Sequence, residues 1–290
     1  MATSARLVRR RIASVANTKK ITKAMQLVAA SKMRKTMNAA LSSREYFNTA
    51  TDIVMDIAQR VDTSIHPFFS SNGNKNVLLI IASSDRGLCG SFNSQVAKKV
   101  YEFVKNKTDI QIVTVGKRAE AAARRTGHSI IASYPAVSNA PSYEKSHGIG
   151  IIASDAFLSG KIGEVWMVYT AFKNALTYTP KYVRLLPIQK LVSEKNADSE
   201  PLISGTDSLF EPTALEVLDR ILPRIFEAQM YQYLLESSAS EHAARMMAMQ
   251  SATDNATDML FDLKLGYNQL RQAAITREIS EISAGKAALA

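Results

Sequence analysis

The sequence predicts an α/β protein in which long N- and C-terminal helices pair as an antiparallel coiled coil around a central, doubly wound, mainly parallel α/β domain. Three observations carry this. Helix breakers are confined: the first proline is Pro67 and the first glycine Gly73, ten of the twelve glycines fall between Gly73 and Gly205, and after Pro223 only Gly266 and Gly285 remain. Both breaker-poor arms repeat apolar residues at alternating spacings of three and four, which places them on one stripe of a helix. The middle alternates apolar or β-branched runs with helical patterns, the order that builds a parallel sheet.

In the first arm the stripe runs through Met33, Met37, Ala40, Arg44, Phe47, Thr51, Val54, Ala58 and Val61. Upstream, Val8, Ile12 and Val15, then Ile21, Met25 and Val28, repeat the spacing in another phase. In the last arm it runs through Leu235, Ala239, His242, Met246, Met249, Thr253, Ala256, Leu260, Leu263, Tyr267, Leu270 and Ala274. Pro223 is expected to kink the entry to this helix, because it lacks a donor and clashes with the preceding turn. About 55 helical residues extend ~80 Å and about 70 extend ~105 Å, whereas a middle domain of this size has a radius of gyration near ~14 Å. Helices of that length outrun the domain and must pair with each other. The seam is rich in Ala, Met and Thr, which specify packing weakly. It is either a marginal coiled coil or one whose surroundings supply much of the burial.

In the middle, strands are expected at Val77–Ala82, Ile110–Val115, Ser129–Ser133 and Val165–Thr170, with Tyr178–Ile188 as a further one. Helices are expected near Ser91–Asn106, Lys117–Arg125 and Tyr143–Leu158, and 193–201 reads as an exposed polar loop. The domain plan is a helix over 1–62, a Rossmann-like domain over 75–200 and a helix over 210–286.

Composition narrows the function. No segment has the roughly 20 apolar residues of a membrane span. One cysteine forms no internal disulfide, and four scattered histidines show no metal-ligand spacing. The net charge of +10 is concentrated at the start: residues 1–60 hold 12 Lys/Arg against 3 Asp/Glu, and no acid precedes Glu45. Such a helix seeks an acidic partner: nucleic acid, an anionic membrane or an acidic protein surface. It also has the composition of a mitochondrial transit peptide. Arg9, Arg10, Arg11, Lys19 and Lys20 would suit phosphates, but the arm lacks the Asn, Gln and aromatic interleaving of base readout. A basic coiled-coil nucleic-acid binder is the alternative reading. The Met25/Met33/Met37 and Met246/Met247/Met249 clusters read as core before an adaptable binding surface.

The loop Ser83–Gly90, after an apolar run, sits where many enzymes hold a phosphate. It has Gly87 and Gly90 only, short of the three glycines of a dinucleotide loop and without the Lys-Ser or Lys-Thr of a P-loop. Cys89 has no histidine near it in sequence to make it a nucleophile. The loop reads as a tight turn with exposed polar residues.

Three stretches together define a family. The first arm carries Arg11-Ile12-Ala13-Ser14-Val15-Ala16-Asn17-Thr18-Lys19-Lys20-Ile21-Thr22-Lys23-Ala24-Met25, the loop Ser84-Asp85-Arg86-Gly87-Leu88-Cys89-Gly90, and the last arm both Glu241-His242-Ala243-Ala244-Arg245-Met246 and Asn268-Gln269-Leu270-Arg271-Gln272-Ala273-Ala274-Ile275-Thr276-Arg277-Glu278-Ile279-Ser280-Glu281-Ile282. In content and order they closely resemble the gamma subunit of F-type ATP synthases. The resemblance implies a non-catalytic rotor shaft without cofactor or metal. Its paired helices stand inside a ring of three alpha and three beta subunits, and its globular domain lies against the epsilon subunit and the membrane c-ring. Proton or sodium flow through that ring drives cycling of the catalytic beta subunits. The implied place is the cytoplasmic face of the inner membrane, peripheral and not inserted, with no nucleic acid bound. In this family the Ile-Thr-Lys-Ala-Met segment belongs to the mature helix; lying so close to Met1, it leads to the expectation of a bacterial chain without a presequence. With a single cysteine, the cysteine-bearing insertion of chloroplast relatives is not expected.

Residue roles follow the same resemblance. The basic first arm, with Lys19, Lys20 and Lys23, answers an acidic lever loop on the beta subunits, and Met25 stands near that loop. Arg86 and Lys98 face acidic stator surfaces. Arg271 and Gln272 match a polar catch on a beta loop, and Thr276, Glu278 and Glu281 lie in the adjoining signature, where solvation alone also accounts for Thr276 and Glu281. One departure stands out: Gly285 is followed by Lys286 where the family has Ala. An unpaired buried charge costs several kcal/mol, so Lys286 is expected to reach water or a carboxylate.

Overall fold

The computed structural model describes residues 2–60, 66–105, 107, 109–188 and 213–289; the loop expected over 193–201 lies outside them. The chain divides into two compact units, Met1–Ala30 with Arg245–Ala290 and Ser31–Ala244.

The first arm forms one helix, α1 (Ala2–Arg60), as the absence of glycine and proline dictates. The second unit then holds β1 (Val77–Ala82), α2 (Phe92–Val104), β2 (Ile110–Val115), α3 (Lys117–Arg124), β3 (Ser129–Tyr134), α4 (Tyr143–Leu158), β4 (Glu164–Phe172) and β5 (Tyr178–Leu186). The last arm is α5 (Ala214–Leu289). It remains helical through Pro223, whose missing N–H leaves the Asp219 carbonyl without its helical donor.

The sheet order is β3-β2-β1-β4-β5. β1 pairs in parallel with β2 and β4, and β2 with β3, while β5 is antiparallel to β4. Central β1, Val-Leu-Leu-Ile-Ile-Ala, is buried at every position, the continuous apolar run of a strand covered on both faces. Its alternate side chains go to opposite cores. Val77, Leu79 and Ile81 pack with α2 (Phe92, Val96, Val100, Phe103) and α3 (Ala119, Ala123). Leu78 and Ile80 join α4 (Ile149, Ala153, Phe157), α1 (Val54, Ile57) and α5 (Leu218, Leu222, Phe226). The two edges show why they are edges. β3 alternates exposed and half-buried residues, and β5 carries Pro180, opposite Thr170, which cannot donate to a central ladder.

Within this unit α1 and α5 run antiparallel: Arg44 Nη2 meets Glu236 Oε1 at 3.0 Å, while Val54 and Ile57, later in α1, are buried with Leu218 and Leu222, earlier in α5. In the other unit the α1–α5 seam is thin. Its buried residues are Thr22, Ala29, Met249, Thr253 and Ala256, and the Thr253 and Thr22 hydroxyls meet at 2.8 Å. Along α5, every seam position expected from Leu235 to Ala274 is buried or half-buried. Along the start of α1, Val8, Ile12, Val15 and Met25 are half-buried as expected, but at two places the next residue takes the seam: Thr22 and Ala29 face inward, and Ile21 and Val28 are 61% and 56% exposed. One residue turns a helix by about 100°, so the close approach permitted by Ala29 and the hydroxyl contact of Thr22 decide the face, not the bulk of Ile21.

Candidate partner-binding surfaces

The place to look first for chemistry is the loop Ser83–Gly90, at the carboxyl end of β1, where open α/β sheets bind ligands. Its polar groups are consumed internally. Ser83 Oγ donates to Asn93 Oδ1 (2.9 Å), Ser84 Oγ lies 2.7 Å from both Asn93 Oδ1 and the Arg86 carbonyl, and Asn93 Nδ2 reaches Cys89 Sγ at 3.2 Å. Cys89 is buried. Asp85 spans outward: Oδ1 accepts from Lys117 N (3.2 Å) and Ala136 N (3.0 Å), and Oδ2 from Ser138 Oγ (3.0 Å). The amino end of α3, a favourable place for an anion, is therefore met by the chain's own Asp85 carboxylate. Gly116 makes this possible, because a Cβ there, at φ +94°, would collide with the Ser83 carbonyl.

The crevice beside β4 is also taken. Ser240 Oγ of α5 donates to the Thr170 carbonyl (3.3 Å), Ala244 packs into the α2-side core, and His242 Nε2 lies 3.2 Å from the Asn139 carbonyl. A helix of the chain itself stands where a cofactor would lie. A groove of about 550 Å³ beside β3 is lined in part by Glu120, Arg124 and His128. There Arg124 is already paired with Glu120 at 2.6 Å, and the hydrogen bonds from Arg124 and then Ser133 hold the Glu120 carboxyl below the usual range. No group of His, Cys, Asp and Glu among the described residues can hold a metal ion.

The residues expected to meet partners are at the surface. On α1, Lys20 and Lys23 are exposed and Lys19 and Met25 half-buried; Lys23 Nζ lies 3.3 Å from Gln26 Oε1. At the end of α5, Arg271, Gln272, Thr276, Glu278 and Glu281 are all exposed, as is Lys286. Arg277 pairs with Glu281 at 2.8 Å, and the Thr276 carbonyl accepts from Ser280 Oγ at 2.9 Å. Arg86 and Lys98, in the other unit, are exposed. Lys98 lies opposite the buried face Phe92–Val96–Val100–Phe103 of α2. It has an acidic neighbour on its own helix, since Glu102 is held below the usual carboxylate range by the hydrogen bond from Lys99 first, with Lys98 and Lys105 adding to it.

Sequence reasoning did not single out the outward apolar rows. In the first unit Leu7, Ile21, Leu27, Val28, Phe261, Leu265, Ile275, Ile279 and Ile282 are each between 48% and 72% exposed. Ile21 and Val28 fall on the expected seam; the other seven lie off it, where a single-stripe template has no place for large apolar residues. Here the fully buried positions are Thr, Ala and Met, seam residues such as Ile12, Val15, Leu260 and Leu263 are half-buried, and further large apolar groups lie outside. A surface of that kind on a long helix pair is covered by another protein.

The self-filled crevice, the carboxylate at the start of α3 and the outward apolar helices are features of a subunit in a larger assembly. The family model described as ATP synthase matches residues 4–289. An ATP synthase gamma chain of Legionella pneumophila (strain Corby) is 39% identical over 289 residues, covering 98% of this chain and 99% of the relative. One of Lachnoclostridium phytofermentans is 37% identical over 288 residues, with 99% of each covered. Among solved structures, the mitochondrial ATP synthase central stalk and c-ring of Tetrahymena thermophila matches with a TM-score of 0.61 at 26% identity, covering 80% of this chain and 99% of that one. A chain of the Euglena gracilis mitochondrial ATP synthase matches at 0.68 and 18% identity, covering 100% and 95%, and shows the same fold.

The chain belongs to the ATP synthase gamma-chain family. It is the central-stalk rotor subunit, and it performs no bond chemistry of its own. The nucleic-acid reading of its basic arm has no support in these relatives.

Proposed function

We propose that the paired α1 and α5 helices stand within a ring of three alpha and three beta subunits, with the α/β domain against an epsilon subunit and the membrane c-ring. The place is the cytoplasmic face of the inner membrane, and attachment is peripheral; no helix among the described residues is long and apolar enough to cross a membrane. The observation that carries this is the outward apolar surface of the first unit. Covering a Leu, Ile or Phe already half-exposed there contributes about 1–2 kcal/mol, so a sleeve of protein is an attractor, while the thin seam leaves the pair dependent on it.

One asymmetric shaft in a ring of like subunits presents a different face to each. Lys19, Lys20, Lys23 and Met25 approach an acidic loop of one beta subunit, Arg271 and Gln272 grip a loop of another, and Thr276, Glu278 and Glu281 lie beside that grip. Arg86 and Lys98 meet acidic stator surfaces. A partner shifts a conformational equilibrium only through differential contact energy between its states. Each orientation of the shaft thus favours one beta conformation, and ion flow turns the preference around the ring.

Co-expression with alpha and beta subunits tests the reading. The predicted result is an assembled ATPase that fails to form without this chain. Met25→Lys in that complex should leave assembly intact and lower ion pumping per ATP, because a new ionic contact to the acidic loop holds one orientation too firmly. Assembly without the chain, or unchanged coupling in the Lys variant, would count against it.

A further inference from the structure

The turn 135–139, between β3 and α4, is tied to α1, to α5 and to the loop after β1. Its Asn139 side-chain oxygen accepts from Lys32 Nζ of α1 at 3.0 Å. The Asn139 carbonyl accepts from Nε2–H of His242 of α5 at 3.2 Å, a contact that fixes the histidine tautomer. His242 is 1% exposed. The turn is itself tied down: Ala136 N and Ser138 Oγ both donate to the Asp85 carboxylate (3.0 Å each), which also accepts from the first amide of α3. Val137 is buried, and Ala136 adopts φ +66°, a backbone state that a non-glycine residue keeps only when its surroundings hold it there.

Directional contacts converge here for a physical reason. Apolar packing holds α1 and α5 against the sheet, but it is non-directional. Hydrogen bonds fix angle and position. We propose that Asn139 is a positioning residue that clamps both long helices to the α/β domain, with Asp85 anchoring the clamp to β1 and α3, so that torque passes between sheet and helices without slip. The role rests on the rotor reading and adds to it a point at which load enters the helices, beside the Ser240–Thr170 and Tyr143–Glu227 contacts of α5.

The test uses the full complex reconstituted in vesicles, comparing ATP hydrolysis, ATP-driven ion pumping and amide hydrogen exchange. Asn139→Ala and Lys32→Met should each keep hydrolysis and lose pumping per ATP. In the same complexes the 136–139 amides should exchange about fivefold faster, the weight of one hydrogen bond. Asn139→Asp, whose carboxylate still accepts from Lys32, should restore both. If Asn139→Ala fails to assemble, Lys32→Met, a surface change that leaves the turn intact, carries the same expectation. Unchanged exchange with unchanged pumping in Lys32→Met overturns the clamp. If the unsubstituted chain drives no pumping, the rotor reading falls and the torque role with it, while the exchange data still decide whether the tie exists.

Discussion

At the residue scale, His66 shows how burial sets a charge state. It is 4% exposed; its Nδ1 accepts from Phe68 N at 3.1 Å and its Nε2 lies 2.9 Å from Asp219 Oδ1. An accepting Nδ1 leaves the proton on Nε2, donated to the carboxylate, so this is a neutral imidazole. A second proton would set two donors against each other at Nδ1. Burial lowers the His66 pKa below 6.5, and the attraction of Asp219, which works to raise it, does not overcome this. The unfolded chain therefore binds the proton first as pH falls. The contribution is complete above about pH 6.5 and is lost as pH drops from there through the folded value. Chemical denaturation across pH 5–8 should show a falling midpoint on the acid side. His66→Gln, which can make both hydrogen bonds without titrating, should flatten that slope; an equal slope in the variant would exclude His66 as its source.

At the scale of elements, α4 separates two glycines by function. Its start is specified locally: Ser142, after Pro141, accepts from Lys145 N at 3.4 Å, a side-chain cap. A Cβ at Gly148 meets nothing within 4 Å, whereas one at Gly150 falls 3.0 Å from Glu227 Cγ and 3.3 Å from Met230 Cε of α5. Glu227 is itself held, accepting from the Tyr143 hydroxyl and meeting His147 Nδ1, both at 2.9 Å. Gly148→Ala should raise stability by roughly 0.5–1 kcal/mol through helix propensity. Gly150→Ala should lower it by about 1–2 kcal/mol, because overpacking outweighs the same gain. Thermal melts of the two variants should move in opposite directions. The sequence shows both glycines inside a helical pattern, but only tertiary packing says which one a neighbour needs.

Across the whole molecule, what was legible depended on how local its cause is. The confinement of glycine and proline and the apolar runs marked both arms and the central strands, because each rests on backbone chemistry of single residues. The place of β5 was legible as a strand but not as an antiparallel one, since pairing direction is set by the connection and the available edge. Thr22 and Ala29 were missed as seam residues because contact between two helices, and not apolar bulk, chose them. The partner-facing residues came from motif resemblance alone; local physics marks Lys20 or Arg271 only as exposed charge. The self-filling of the crevice by Ser240, His242 and Ala244 was invisible for the opposite reason: residues far apart in sequence create it.

The most direct measurement of the rotor role is rotation. The single natural cysteine, Cys89, is buried, so Lys161→Cys, at an exposed position of the α/β domain, gives a unique attachment point for a gold bead. With the alpha and beta subunits immobilised and ATP supplied, the bead should turn persistently in one direction, at a rate that follows ATP concentration. A bead that stays fixed while the same complexes hydrolyse ATP at full rate would contradict the account.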